Sequence, residues 1–228
     1  MRVYRLDKIV LRISNNAEKF LSGLTTNTLD RPRNAFVNMH GRIIATFDQT
    51  KSGDDQFLIV LDAAIQANLT SHIQKYLMLN KTLAEPTDHR VYFDLDHAYR
   101  LEADEYVIAQ KAGQMILTQR ELEVNVSEDE FTLFRLKNNI PLLGVDYHKD
   151  EFLLNVDDSE LVSYTKGCFL GQEPIAKVHN RSKPTRKLVV RAEEEVIAEE
   201  RIKLTSMIRD GQAGKTIGFI FVSNRPAP

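Results

Sequence analysis

The sequence predicts an α+β fold of more than one lobe. Two observations carry this expectation. Strand-like and helix-like segments occur in mixed order rather than in strict βαβ alternation. From residue 188 onward only short β-branched runs remain, which predicts a small β module at that end. The 228 residues, at about 150 per domain, fit one large domain or two modest ones, and either can bury a core.

In chain order, residues 9–13 are apolar and β-branched and predict a strand. Asn15 with Glu18 has the spacing of a capping box that opens a helix over 17–22, and Gly23 supplies its stop. Residues 35–39, the pair His40-Gly41 and residues 42–49 predict a hairpin. Ser52-Gly53-Asp54-Asp55 reads as a turn and 56–61 as a strand. Asp62 is placed to cap a helix whose apolar positions Ile65, Leu69, Ile73, Tyr76 and Leu77 share one face. Short strands follow at 91–95, 106–109 and 115–118, the last two joined around Gly113. Ser127 with Glu130 forms a second capping box, opening a helix that Asn139 and Pro141 end. Residues 144–159 are turn-rich, and 188–191, 202–205 and 217–222 are short β runs.

Composition removes several classes. Thirty Lys and Arg against 32 Asp and Glu leave a formal net charge of −2, which argues against a nucleic-acid coat and against an acidic solvating tail. Hydrophobic residues at 43% and charged residues at 27% exclude disorder and collagen. No run of about 18 apolar residues occurs, so no membrane span is expected. The opening MRVYRLDKIV lacks an apolar h-region and passes into a strand pattern, so no secretory signal is expected. The single cysteine, Cys168, excludes an internal disulfide and a cysteine-based zinc cluster. It points to a reducing compartment, read as the cytoplasm.

The densest group of chemical side chains is Lys166-Gly167-Cys168-Phe169-Leu170-Gly171-Gln172-Glu173. A lysine two residues from a thiol favours the thiolate, so Cys168 reads as a reactive group; the competing reading is a small buried hydrophobe. Gln172 and Glu173 carry the amide and carboxylate groups that read heterocycle edges. Between 174 and 192 no acidic residue occurs, while Lys177, Arg181, Lys183, Arg186, Lys187 and Arg191 do. This run reads as a polyanion site or as a solvated basic face balanced by Glu193, Glu194 and Glu195. The segment Gly23-Leu24-Thr25-Thr26-Asn27-Thr28 suits a loop that approaches a ligand, or an ordinary cap and turn. Phe131 and Phe134 are core positions, with stacking on a flat ligand as a second reading of Phe131. The phosphate-cradling, dinucleotide, zinc-protease and nucleophile-elbow motifs are absent. His89 and His97 with Asp88, Asp94 and Asp96 come nearest to a cluster, but without metal-ligand spacing, so no metal site is expected.

The octet KGCFLGQE resembles the K-G-C-[FYW]-x-G-Q-E signature of YgfZ-type folate-binding proteins, which are relatives of the glycine-cleavage T-protein, an aminomethyltransferase. Other segments fall in the family order. Residues 20–27, FLSGLTTN, resemble F-L-x-G-x-x-T-N/A-D; Gly41-Arg42-Ile43 resembles the family hairpin; residues 135–144, RLKNNIPLLG, resemble R-x-x-x-G-I-P-x-x-G. The likeness covers roughly residues 9–190. It implies a ring-like, multi-part T-protein/YgfZ-type fold with ferredoxin-like α+β lobes and a reduced C-terminal β module. The expected division is 1–50 plus 126–186 as the folate-binding lobe, 51–125 as a second lobe, and 187–228 as the shortened β module.

The resemblance also implies a function: a tetrahydrofolate-binding accessory protein that supports iron–sulfur cluster assembly or repair, and thereby iron–sulfur tRNA-modifying enzymes. The implied ligand is tetrahydrofolate or a one-carbon derivative. The implied partners are the iron–sulfur assembly machinery or its client enzymes. Cys168 would be the reactive group, with Lys166 beside it. Asn27 and Phe131 would lie near the pterin, Gln172 and Glu173 would contribute polar contacts, and Arg42, Arg181 and Arg186 would hold the tail carboxylates, as arginine can do bidentately. Lys137 stands where the T-protein has a pterin-facing glutamate, Asn139 where it has glycine, and Thr28 where it has aspartate. Two alternatives stay open. One is a glycine-cleavage-type aminomethyltransferase, against which Lys137 counts. The other is an RNA-binding module using the basic run at 177–191 to bind tRNA, against which its lack of interleaved aromatics counts.

Overall fold

A computed structural model describes residues 1–224. β1 (Val3–Leu6) and β2 (Lys8–Ser14) open the chain. α1 (Ala17–Leu24) buries Ala17, Phe20, Leu21 and Leu24, the spacing of one helix face. β3 (Arg33–Val37), β4 (Ile43–Gly53) and β5 (Gln56–Asp62) form a meander. Asp62 Oδ1 accepts from the Ala64 N–H at 2.9 Å and starts the turn into α2 (Gln66–Asn80). β6 (Leu83–Pro86) then returns to the sheet. The result is a five-stranded antiparallel sheet in the order β3-β4-β5-β2-β6, which draws strands from both sides of residue 50. β7 (Arg90–Asp94), β8 (Tyr106–Ala109) and β9 (Gln114–Thr118) join β1 in a second antiparallel sheet, ordered β1-β7-β9-β8. α3 (Glu128–Lys137) follows. Two one-turn helices, α4 (Leu153–Val156) and α5 (Asp158–Leu161), lead to α6 (Gln172–Arg181). A three-stranded antiparallel sheet closes the chain: β10 (Arg186–Ala192), β12 (Lys215–Ser223) in the middle, and β11 (Thr205–Asp210).

The five-stranded sheet is a wall shared by separate cores. Side chains alternate across a strand. In β5, Phe57, Ile59 and Leu61 pack with α1 and α2, while Leu58 and Val60 pack with β7, β9 and α3. Both faces are covered, which is why β5 reads as a continuous apolar run. β3 divides in the same way: Phe36 faces the α1–α2 core, whereas Ala35 and Val37 face a third core made with α4, α6, Leu188 and Phe219. Burying one Leu or Ile contributes about 1.5–3 kcal/mol, against about 0–1 kcal/mol for an exposed ion pair such as Lys203–Glu200. The arrangement of lobes is therefore decided by this wall.

Several local expectations are corrected. The N-cap of α1 is Asn16 in the left-handed region, with no side-chain cap of its own. The Glu18 N–H donates instead to Asp55 Oδ1 at 2.9 Å, from the β4–β5 turn. The helix also continues through Gly23 to Leu24. Ser127 does cap α3, its Oγ accepting from the Glu130 N–H at 3.2 Å, but the Glu130 carboxylate turns to Arg2 instead of closing the box. The run expected as a strand at 202–205 lies largely in a 3-10 helix, Ala198–Lys203, and β11 begins only at Thr205. β1, β6, α4, α5 and α6 are additions. In α6, Pro174 falls in the first turn, where its missing N–H costs nothing.

A buried ion pair holds the C-terminal sheet to the rest. Arg135 Nη1 donates to Asp146 Oδ2 at 2.8 Å, with both side chains essentially sealed from water. Arg135 Nη2 donates to Ser206 Oγ at 2.9 Å. Asp146 Oδ1 accepts from Thr205 Oγ1 at 2.9 Å and from Ser206 Oγ at 2.5 Å, and Oδ2 also accepts from the Leu142 N–H at 2.8 Å. α3, the loop after it and β11 thus meet at one carboxylate. Removing one partner of a buried pair strands the other charge. Asp146→Ala is expected to lose about 3–5 kcal/mol of stability, to be measured by urea unfolding; a loss below about 1 kcal/mol would contradict this account.

Candidate functional site

The octet and the segment that precedes it are stitched to the loop after α1. Thr26 Oγ1 donates to the Leu161 carbonyl at 2.5 Å, and the Ser163 N–H donates to the Thr26 carbonyl at 3.0 Å. Asn27 Nδ2 donates to the Glu160 and Arg33 carbonyls at 2.9 and 3.0 Å. The Leu170 N–H donates to the Gly23 carbonyl at 3.1 Å. Phe169 and Ile175 sink into the third core. Gly171 has φ +83°, and an added Cβ would lie 2.4 Å from the Asn38 carbonyl oxygen, so only glycine lets the chain cross the hairpin there. With the backbone pinned on both sides, Cys168 is left exposed. It lines a shallow surface hollow with Lys166, Gly167, Ser22, Thr28 and Asp30.

Lys166 is held by the same stitching. Its ammonium donates to the Thr25 and Asn27 carbonyls at 2.5 and 3.0 Å and stands 5.1 Å from the centre of the Phe169 ring. Burial strips water from the charged form and lowers its pKa from 10.5 to about 8. The ammonium is directed at backbone carbonyls, which differs from the expected partnership with the thiol.

A second, deeper cavity of about 240 Å³ lies between the two larger sheets, α3 and the loop after it. One wall is aromatic. The Tyr4 and Phe131 rings are stacked, with centroids 4.3 Å apart and planes 11° apart, and Phe93 stands 5.3 Å from Phe131. The polar wall carries Arg33, Thr46, Asp48, Gln110, Arg135 and Tyr147. Tyr147 and Thr46 satisfy each other across 2.7 Å, and burial pushes the Tyr147 hydroxyl up to about 12. Arg135 Nε is sealed from solvent without a hydrogen-bond partner, a rare orphaned buried donor. A flat ring against Tyr4 or Phe131, with polar groups on its far edge, matches this chemistry.

The structure separates residues that the sequence reading brought together. Of the expected ligand contacts, Phe131 alone lines the cavity. Asn27 is a buried bracket for backbone groups. Arg42 donates to the Asp150 carbonyl at 2.7 Å. Gln172 and Glu173 begin α6 and Arg181 ends it. Arg186 pairs with Glu151 and lies over the Phe221 ring. Cys168 and Lys166 share their hollow, which has no lining residue in common with the cavity. Lys137 pairs with Asp210 and Gln212 and is absent from the cavity lining. Tyr4, Arg33, Asp48 and Gln110 were not singled out from the sequence. They come from β1, β3, β4 and the β8–β9 turn, and only the packing of the two sheets against each other unites them. Among the described residues, no group of three or more His, Cys, Asp or Glu side chains is poised for a metal ion. No helix there is long and apolar enough to cross a membrane.

No family model matches the chain. It is 25% identical to a Dictyostelium discoideum protein named as a mitochondrial homolog of the iron–sulfur cluster assembly factor IBA57, over 73% of this chain and 56% of that protein. It is 26% identical to the human mitochondrial IBA57 assembly factor, over 78% of this chain and 62% of that one. The chain therefore spans little more than half the length of these relatives. The fold is that of the glycine cleavage system aminomethyltransferase T from Bartonella henselae, with a TM-score of 0.69 over 97% of this chain and 78% of that one, at 10% identity. The resemblance read from the octet and its companion segments stands on both counts.

Lys166 gives the octet a testable pH signature. Its folded pKa lies below the ordinary value, so the charged form costs stability in the fold, and that cost disappears as pH rises from about 8 to 10.5. Stability of the wild type is expected to rise across this window relative to Lys166→Met. Acylation of Lys166, followed by peptide mass mapping, is expected to reach half its maximal rate near pH 8. A midpoint near 10.5 would show that burial does not act on this amine.

Proposed function

We propose that the protein binds a tetrahydrofolate-type ligand in the central cavity and supports iron–sulfur cluster assembly or repair, with Cys168 as its reactive group. The observation that carries this reading is the exposed thiol, held in place by an intact octet that Leu170, Lys166 and the buried Phe169 anchor to the rest of the fold. The similarity to iron–sulfur cluster assembly factors supports the biological role. The T-protein fold and the aromatic-walled cavity support the ligand class.

The residues present fit such a ligand. Tyr4 and Phe131 offer a face for a flat ring, and Arg33 in the polar wall offers a donor. Bound folate would supply one-carbon chemistry. The chain would hold the ring, keep water from its buried edge and orient it between the two sheets. Cys168 would handle sulfur, iron or a cluster presented by a partner, the cluster being cargo. The proposed partners are the iron–sulfur assembly machinery or its client enzymes, including those that modify tRNA. The proposed site of action is the cytoplasm, in keeping with the lone free thiol.

Calorimetric titration with tetrahydrofolate is expected to show saturable one-to-one binding, and an absence of binding would remove the folate half of the proposal. Cys168→Ser is expected to fold normally, since the side chain is exposed, yet fail to complement a cell deficient in iron–sulfur assembly. Full complementation by that variant would remove Cys168 from the mechanism.

A further inference from the structure

Arg33 and Asp48 face each other as cross-strand partners on β3 and β4, and both line the central cavity. Each side chain is only 11% exposed. Buried charges are normally satisfied by close hydrogen bonds, and this pair is not. Arg33 Nε stands 3.8 Å from Asp48 Oδ1, an ion-pair distance beyond hydrogen-bond range. Gln110 Nε2 donates to the same oxygen at 3.0 Å. Asp48 Oδ2 accepts from no described residue, and the Arg33 guanidinium donates to none. Neither group is among the buried polar atoms sealed without a partner, so both keep contact with open space.

Several other polar groups that line the cavity are committed to protein partners. Thr46 and Tyr147 bind each other. Asp62 caps the turn before α2. Arg135 is neutralised by Asp146. At this pair, Asp48 Oδ2 and the second lone pair of Oδ1 stay open beside a guanidinium, in a cavity that also carries the Tyr4–Phe131 stack.

We infer that the Arg33–Asp48 pair reads the polar edge of a flat ring whose exocyclic amine and ring N–H are donors and whose neighbouring carbonyl is an acceptor. A carboxylate accepts from the two donors side by side, and a guanidinium donates to the carbonyl. This amino-oxo-pyrimidine edge belongs to oxidised and reduced pterins, and guanine carries the same edge. The inference rests on the folate reading for its choice of pterin, and on the geometry of the pair for the edge itself. It also supplies a carboxylate in the cavity of a chain whose Lys137 turns to Asp210.

The test is equilibrium titration of wild type, Asp48→Asn and Arg33→Gln with tetrahydrofolate, with guanosine, and with the 2,4-diaminopteridine analogue of folate. Folding is checked by circular dichroism and thermal melting. Asp48→Asn is expected to weaken tetrahydrofolate binding by about ten- to a hundredfold, the scale of a hydrogen bond to a charged group. Wild type is expected to prefer the oxo ligand, because the diamino analogue presents a donor to Arg33. Arg33→Gln is expected to narrow that preference, which a merely structural role would leave unchanged. If Asp48→Asn does not fold, Arg33→Gln carries the test alone. Guanosine binding that Asp48→Asn abolishes, without tetrahydrofolate binding, would overturn the folate reading and leave the pair's role standing. A folded Asp48→Asn that binds within threefold of wild type, an unchanged preference in Arg33→Gln, or a wild type that binds neither ligand would overturn the inference.

Discussion

The buried contact between Arg135 and Asp146 is the constraint on which the rest of the structure depends. One carboxylate takes hydrogen bonds from α3, from the loop that follows it and from β11. That loop carries Ile140, Pro141, Leu142 and Leu143 into the wall of the central cavity. The same guanidinium lies 5.9 Å from the centre of the Phe131 ring. One contact thus bears both on the cavity wall and on the attachment of the small sheet, which Leu188 and Phe219 also anchor by packing in the third core. Such a pair contributes little net stability over an apolar replacement, because desolvation offsets the attraction. Its effect here is geometric: it fixes which loop faces which strand.

Around that point the chain builds two separate chemical environments. The octet is held at the surface by backbone hydrogen bonds, so its thiol meets solvent. The cavity is held by packing between sheets, so the Arg33 and Asp48 side chains in it are mostly withdrawn from solvent, where electrostatic interactions are stronger than in bulk water. A reactive sulfur suits the first and ligand recognition suits the second. The family signature marks only the first.

That division explains what could be read from the sequence. β2 to β5 were legible because apolar runs and turn residues such as Gly53 and Asp55 mark them. Ser127 announced α3 through its cap. The octet was legible because its residues are contiguous. The cavity was not: Tyr4, Arg33, Asp48 and Gln110 are unremarkable singly, and only the packing of two sheets brings them to one cavity. β1 and β6 escaped notice because four-residue strands carry too little periodicity. Asn27 misled for a physical reason. An amide beside small hydroxyl residues suits a ligand loop, but the same donors serve equally well to pin one backbone segment to another.

The remote cap of α1 bears on how the molecule is made. The N–H of Glu18 is satisfied by Asp55, a residue that leaves the ribosome only after the entire β3–β4 hairpin has been synthesised. An eight-residue helix is marginal alone in water. Until that aspartate arrives, the nascent segment has neither its remote cap nor the β5 strand it rests on, so α1 is completed only once the β4–β5 turn and β5 are in place.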